Sequence, residues 1–175
     1  MKLLIATHNP GKKAEYAVLL EGLNLELTTL AELGITHEVD ENGDSYRQNA
    51  LLKARAYAAL SGLPTLADDS GLEVDALGGA PGVHSARYAG EGASDRERYE
   101  LLLHNLQDVP DGQRTARFRC VIALAWPGGR TEVVEGTCEG TVTRAPRGCH
   151  GFGYDPVFYV PEYRCTMAEL PAEVK

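Results

Sequence analysis

The chain has 175 residues, 43% of them hydrophobic and 24% charged, proportions of an ordinary globular domain that exclude a disordered or fibrous protein. Its 17 Lys and Arg against 25 Asp and Glu give a formal net charge of −8. That balance argues against binding nucleic-acid polymers or anionic membranes through bulk charge, and leaves room for a small anionic ligand met by a few placed lysines.

Residues 2–6 read as a first buried strand, too short for the apolar region of a signal peptide. Residues 11–20 read as a helix with Ala14, Val18 and Leu19 toward the core. A second strand is predicted at 25–28, a helical turn at 29–33 ended by Gly34, and a short third strand at 37–39. Ser45-Tyr46-Arg47-Gln48 has the pattern of a capping box and opens a helix that Gly62 and Pro64 stop at about Ser61. A short apolar strand at 64–67 leads into Asp68-Asp69-Ser70-Gly71. Ser94-Asp95-Arg96-Glu97 is a second capping box, for a helix to about Asn105. Strands at 115–126 and 131–137 form a hairpin through Pro127-Gly128-Gly129. Further strands fall at 140–143 and 157–160, and residues 166–175 begin a helix. Helices alternating with strands early, then a hairpin, predict one α/β domain with a mixed sheet. No apolar stretch approaches the roughly 20 residues of a membrane span. The four cysteines, Cys120, Cys138, Cys149 and Cys165, show no C-x-x-C or zinc spacing, which fits reduced thiols in a cytoplasmic protein.

Four segments carry the chemistry. Thr7-His8-Asn9-Pro10-Gly11-Lys12 joins a strand to a helix, a junction whose unpaired amides and lysine charge suit a phosphate, or which is simply an N-cap beside a surface lysine. It is not a Walker loop, because its first glycine is missing. On the 45–61 helix, Tyr46, Asn49, Lys53 and Tyr57 share one face and Ala50, Ala54 and Ala58 another. The first is either a wall where Lys53 meets an anion or a lysine lying over tyrosine rings. The adjacent carboxylates of Asp68 and Asp69 cannot point the same way on an extended chain, so one can activate water or bind Mg²⁺ while the other holds the loop. Asp40-Glu41 supplies a second acidic pair. Oxygen ligands without a Cys/His cluster favour Mg²⁺ over zinc, and the alternative for Asp68-Asp69-Ser70-Gly71 is a plain turn. In Gly151-Phe152-Gly153-Tyr154-Asp155-Pro156 the glycines let backbone approach a ligand and free the Phe152 ring to stack, unless that ring is core. Asp155 accepts from a base edge or anchors the loop, and Pro156 holds it extended.

Taken together, these segments resemble the inosine triphosphate pyrophosphatase family. The matching pieces are Thr7-x-Asn9-x-x-Lys12, Glu41-x-Gly43, Asn49-Ala50-x-x-Lys53-Ala54, Ala67-Asp68-Asp69-Ser70-Gly71-Leu72, the stretch from Gly78 to Tyr88, and Gly151-Phe152-Gly153-Tyr154-Asp155-Pro156. They occur in family order over essentially the whole chain. The resemblance implies an elongated two-lobed α/β fold around a curved mixed sheet, usually a homodimer, with a purine nucleoside triphosphate in the cleft. It implies hydrolysis of dITP, ITP and XTP to the monophosphate and pyrophosphate with Mg²⁺. Carried over residue by residue, Thr7, His8, Asn9, Pro10, Gly11, Lys12 and Lys53 hold the triphosphate. Asp69 takes the proton and contacts Mg²⁺, with Asp40 or Glu41 as the second metal-side acid. Ser70, Phe152, Gly153, Tyr154 and Asp155 hold the nucleoside, with Phe152 stacking on the base, and Lys175 matches the substrate-binding family lysine near the tail. The family continues past Lys175 into a Ser-His-Arg segment that contacts the purine and that these 175 residues do not contain. Poor discrimination of dITP from dATP is the expectation for these residues alone. The competing readings are a pyrophosphatase for modified pyrimidines and a nucleotide sensor without turnover; the Asp68-Asp69 pair speaks against the sensor.

Overall fold

A computed structural model describes residues 1–175. Its strands are β1 (Lys2–Ile5), β2 (Glu26–Thr29), β3 (Thr65–Val74), β4 (Thr115–Ala125), β5 (Thr131–Val142), β6 (Phe158–Val160) and β7 (Cys165–Thr166). Its helices are α1 (Pro10–Leu19), α2 (Tyr46–Ser61) and α3 (Asp95–Asn105). The strands form one sheet in the order β2-β1-β3-β4-β5-β6-β7. Leu3, Leu4 and Ile5 are all buried, as an unbroken apolar run requires of a strand paired in parallel on both sides. β1 pairs in parallel with β2, Lys2 opposite Glu26, and with β3, Leu4 opposite Thr65. β6 pairs antiparallel with β5, Val142 opposite Phe158, and with β7, Val160 opposite Cys165. The sheet is therefore mixed, as expected.

The chain divides into two compact units, Met1–Asp69 with Cys120–Gly136, and Ser70–Arg119 with Thr137–Lys175. The core of the first unit gathers Leu3, Ile5, Tyr16 and Leu66, with Ile122 and Leu124 against them. The core of the second includes Leu72, Val74, Leu102, Leu106, Val157 and Phe158. There the rings of Phe118 and Phe158 sit 4.6 Å apart at 59°, a tilted pairing favoured by the ring quadrupoles. No helix is long and apolar enough to cross a membrane.

Several expectations are corrected. The core face of α1 carries Tyr16, whereas Val18 and Leu19 are 49% and 70% exposed and Ala14 is exposed as well. Residues 37–39 form no strand. β3 does not stop at residue 67 but runs through Asp68, Asp69, Ser70 and Gly71. β5 is one strand where two were expected. The last residues are not helical beyond a 3-10 turn, Met167–Glu169, because Pro171 has no N–H with which to continue a helix.

Both caps are present in part or in full. Ser45 accepts from Gln48 N–H at 3.3 Å, but the Gln48 side chain takes the amide of Asp44, not that of Ser45. The Ser94 box is complete: its Oγ accepts from Glu97 N–H at 3.2 Å, and Glu97 accepts from Ser94 N–H at 2.7 Å. Ser94→Ala is expected to cost about 1 kcal/mol, read as a lower urea midpoint at unchanged slope.

Candidate active site

α1 starts just past the end of β1, and Asn9 is its N-cap. The Asn9 side chain accepts from Gly11 N–H at 2.8 Å and Lys12 N–H at 3.3 Å, while Thr7 Oγ accepts from Asn9 N–H at 3.1 Å. The amides of Gly11 and Lys12 are therefore bonded to Asn9 and not unpaired as expected. Lys12 projects from the first turn to Asp68, Nζ to Oδ2 2.5 Å, with side-chain exposures of 19% and 3%. Burial works against the Lys12 ammonium, but the Asp68 carboxylate outweighs it and holds the pKa above the ordinary lysine value. Burial, with Asp68 beside it, pushes the Cys120 thiol up to about 11, so this thiol is not a nucleophile at neutral pH.

Side chains alternate along a strand, so Asp69 faces away from Asp68. Its carboxylate is buried and accepts from Asn49 Nδ2 at 2.9 Å. Burial raises its pKa; Asn49 and the Lys53 and Lys12 charges pull it down, and Glu41 pushes it up. A carboxylate so placed binds a proton more readily than a solvated one, which is the property a general base needs.

α2 supplies the surroundings of Asp69. Tyr46, Asn49 and Tyr57 are buried on the expected face, and Lys53, between them, pairs with Glu41 at 3.0 Å while only 14% exposed. Asn49 Oδ1 accepts from Gly43 N–H at 2.8 Å. Tyr57 donates to the His37 carbonyl at 3.0 Å and lies 3.5 Å from His8 Nε2. Asp40 is exposed. No three His, Cys, Asp or Glu side chains converge into a metal cage.

In the second unit, Asp155 Oδ2 accepts from Phe152 N–H at 2.9 Å and from Lys175 Nζ at 2.5 Å. The Lys175 ammonium also sits 4.6 Å from the Phe152 ring centroid, within cation–π range. Gly153 N–H donates to Asp95 at 2.7 Å, and Tyr154, a buried residue, donates to the Ser85 carbonyl at 2.8 Å. Asp155 thus anchors the loop. Instead of lying in extended chain it opens a 3-10 turn, Asp155–Val157. Gly151 has φ +76°, and a Cβ there would strike the Asp155 carboxylate and come within 2.9 Å of Lys175 Nζ. Gly151→Ala is therefore expected to break the Asp155–Lys175 pair and cost about 1 kcal/mol or more of stability, seen as a lower Tm.

The first unit thus brings together Lys12, Lys53, Glu41 and Asp69 with the 7–12 loop, and the second brings together Phe152, Gly153, Asp155 and Lys175. Sequence reasoning singled out Asn49 and Asp68 without their partners, Asp69 and Lys12, and gave Asp95 no place in the site. Asn49 had a usable signal, four residues before Lys53 on the same helix face. Asp95 had none, because its partner lies 58 residues away.

The site lies on a mixed α/β sheet whose third strand carries two buried carboxylates, Asp68 paired with Lys12 and Asp69 bonded to Asn49. The chain belongs to the Ham1 family, whose model matches residues 3–175. It is 53% identical over 175 residues to a dITP/XTP pyrophosphatase of Desulforamulus reducens, covering 100% of this chain and 87% of that one. The corresponding Bacillus subtilis protein, also a dITP/XTP pyrophosphatase, is 48% identical, with 98% and 87% covered. A HAM1 protein structure from Coxiella burnetii superimposes with a TM-score of 0.87 at 43% identity, covering 98% of this chain and 87% of that one.

Proposed function

We propose that this chain is a nucleoside triphosphate pyrophosphatase that cleaves dITP, ITP and XTP to the monophosphate and pyrophosphate. The observation that carries the reading is the buried, proton-avid Asp69 carboxylate with Lys12 and Lys53 charges acting on it. Relatives named for this activity share about half of its residues.

The 7–12 loop, Lys12 and Lys53 bind the triphosphate, and phosphate oxygens compete for lysines now paired with Asp68 and Glu41. Asp69 accepts the proton of a water whose oxygen attacks the α-phosphorus. The bond from the α-phosphorus to the bridging oxygen breaks, and pyrophosphate carries away the electron pair. Positioning and charge neutralisation supply most of the rate in such transfers. Ser70, Phe152, Gly153, Tyr154, Asp155 and Lys175 serve the nucleoside, Phe152 by stacking. Tyr154 acts through the backbone it fixes, since its hydroxyl bonds Ser85.

The donor set fits Mg²⁺. Its side-chain donors are hard carboxylate oxygens, and the lack of a three-residue cage matches an ion held by one or two carboxylates plus substrate phosphates. Asp69 with Glu41 or Asp40 would hold it, and when bound it neutralises charge on the phosphates. The four thiols form no disulfide, which supports a reducing, cytoplasmic setting. We assign the chain to a homodimer, to be checked by sedimentation equilibrium.

The test is turnover of dITP in Mg²⁺ buffer made with ¹⁸O-water. Pyrophosphate and ¹⁸O-labelled monophosphate are expected. Release of orthophosphate alone, or none, would overturn the reading.

A further inference from the structure

Residues 40–43 belong to no strand or helix, yet they hold Glu41 in a defined place. Three side chains of α2 do this. Gln48 Oε1 accepts from Asp44 N–H at 2.7 Å, Asn49 Oδ1 accepts from Gly43 N–H at 2.8 Å, and Lys53 pairs with Glu41 at 3.0 Å. Asn49 differs from the other two because its far end reaches Asp69, Nδ2 to Oδ2 2.9 Å, in a residue only 2% exposed. Its orientation is fixed by chemistry. A backbone N–H can only donate, so Gly43 takes the amide oxygen and the NH₂ faces the carboxylate. Gly43 permits the contact: a Cβ there would lie 2.7 Å from both Asn49 Oδ1 and Gln48 Cβ.

We propose that Asn49 is the positioning residue of this site, one amide that ties the backbone of the acidic loop to the Asp69 carboxylate and fixes its direction. The proposal rests on Asp69 being the proton acceptor. The terminal torsion of an aspartate is broad, so β3 alone does not set where its oxygens point. A buried donor held at its other end by the loop does. An error of about 1 Å in such a group can cost about 10²-fold in rate. Asn49 itself is assigned no contact with the nucleotide.

Three variants test this: Asn49→Asp, Asn49→Ser and Gly43→Ala. Asn49→Asp keeps the shape of the side chain and the acceptor for Gly43 but sets a like-charged oxygen against Asp69, whereas Asn49→Ser removes the amide without adding charge. The expected result is a fall of about 10²-fold or more in kcat for pyrophosphate release from dITP. The Kd for a dITP analogue with a non-hydrolysable α,β-imido link should change by less than about 3-fold, because uniform binding is untouched. Gly43→Ala reaches the same link from the loop side and should also lower kcat. Combined with Asn49→Ser it should lose little more than the worse single variant, the signature of one shared link. Near-UV circular dichroism checks the fold, and if Asn49→Asp does not fold, the other two variants decide by the same readouts. Folded variants with parental kcat overturn the positioning role. So does a loss of analogue binding in proportion to kcat, which would make Asn49 a binding or structural residue. A parent protein that releases no pyrophosphate overturns the functional reading as well. A fully active parent with indifferent variants overturns the positioning role alone.

Discussion

Asp69→Asn is expected to lower kcat by about 10²–10⁴-fold, the usual loss when a positioned general base is removed. The amide keeps the shape of the side chain and loses the ability to take a proton. Stability should move the other way. Burial raises the Asp69 pKa in the folded state, so the native fold favours the protonated form. The stability this group contributes is present below its unfolded pKa and lost as pH rises through the folded one. At neutral pH the carboxylate therefore costs stability, and the Asn variant should show a Tm no lower than the parent in differential scanning calorimetry. Near-parental turnover would transfer the proton to Asp68 or to the Asp40-Glu41 pair.

If Lys12 and Lys53 meet phosphate as proposed, Lys12→Ala and Lys53→Ala are each expected to lose a charge-assisted contact of about 1.5–3 kcal/mol, or roughly 10- to 150-fold in kcat/KM. The loss should be equal for dITP and dGTP, because these groups meet phosphate and not base. A base-selective loss would overturn the assignment. The two variants should differ in stability. Lys12→Ala leaves the Asp68 carboxylate buried without its partner, at 3% side-chain exposure. Breaking a fully buried pair costs about 3–5 kcal/mol, and the partial exposure of Lys12 puts the expected value at or below the lower end. Lys53→Ala leaves Glu41, which is 41% exposed and can be rehydrated. A clear fall in Tm is expected for Lys12→Ala and little change for Lys53→Ala.

The parts of the fold that could be read from the sequence are those whose signals are local. The second capping box, the α2 boundaries and the β4–β5 turn depend on residues within a few positions of one another. What escaped depends on distant partners. Asp68-Asp69-Ser70-Gly71 has the composition of a turn, yet it continues β3 because Lys12 and Asn49, far off in sequence, stabilise the two buried carboxylates. Residues 138–139 separate the two expected strands, yet β5 runs through them, and at Gly140 a Cβ would strike the Tyr159 carbonyl and the Phe158 ring. On α1, Ala14 with Val18 and Tyr16 with Leu20 present equally good four-residue spacings, and the larger tyrosine takes the core. The same division holds for the site. The alternating directions of Asp68 and Asp69 follow from strand geometry alone, whereas the Asn49 link joins a loop, a helix and a strand.

The lysine pairs have a consequence for which ligands stay and which leave. Each ammonium already faces a carboxylate, Lys12 with Asp68 and Lys53 with Glu41, so the resting site offers no pair of bare positive charges. A nucleoside monophosphate, with at most two negative charges, gains little by displacing those carboxylates. A triphosphate, with about four, has enough to win both lysines at once. Under the proposed function the arrangement would set a threshold in ligand charge. Above it the substrate would be retained; once the pyrophosphate half is gone, the carboxylates would reclaim their partners and release the monophosphate to solvent.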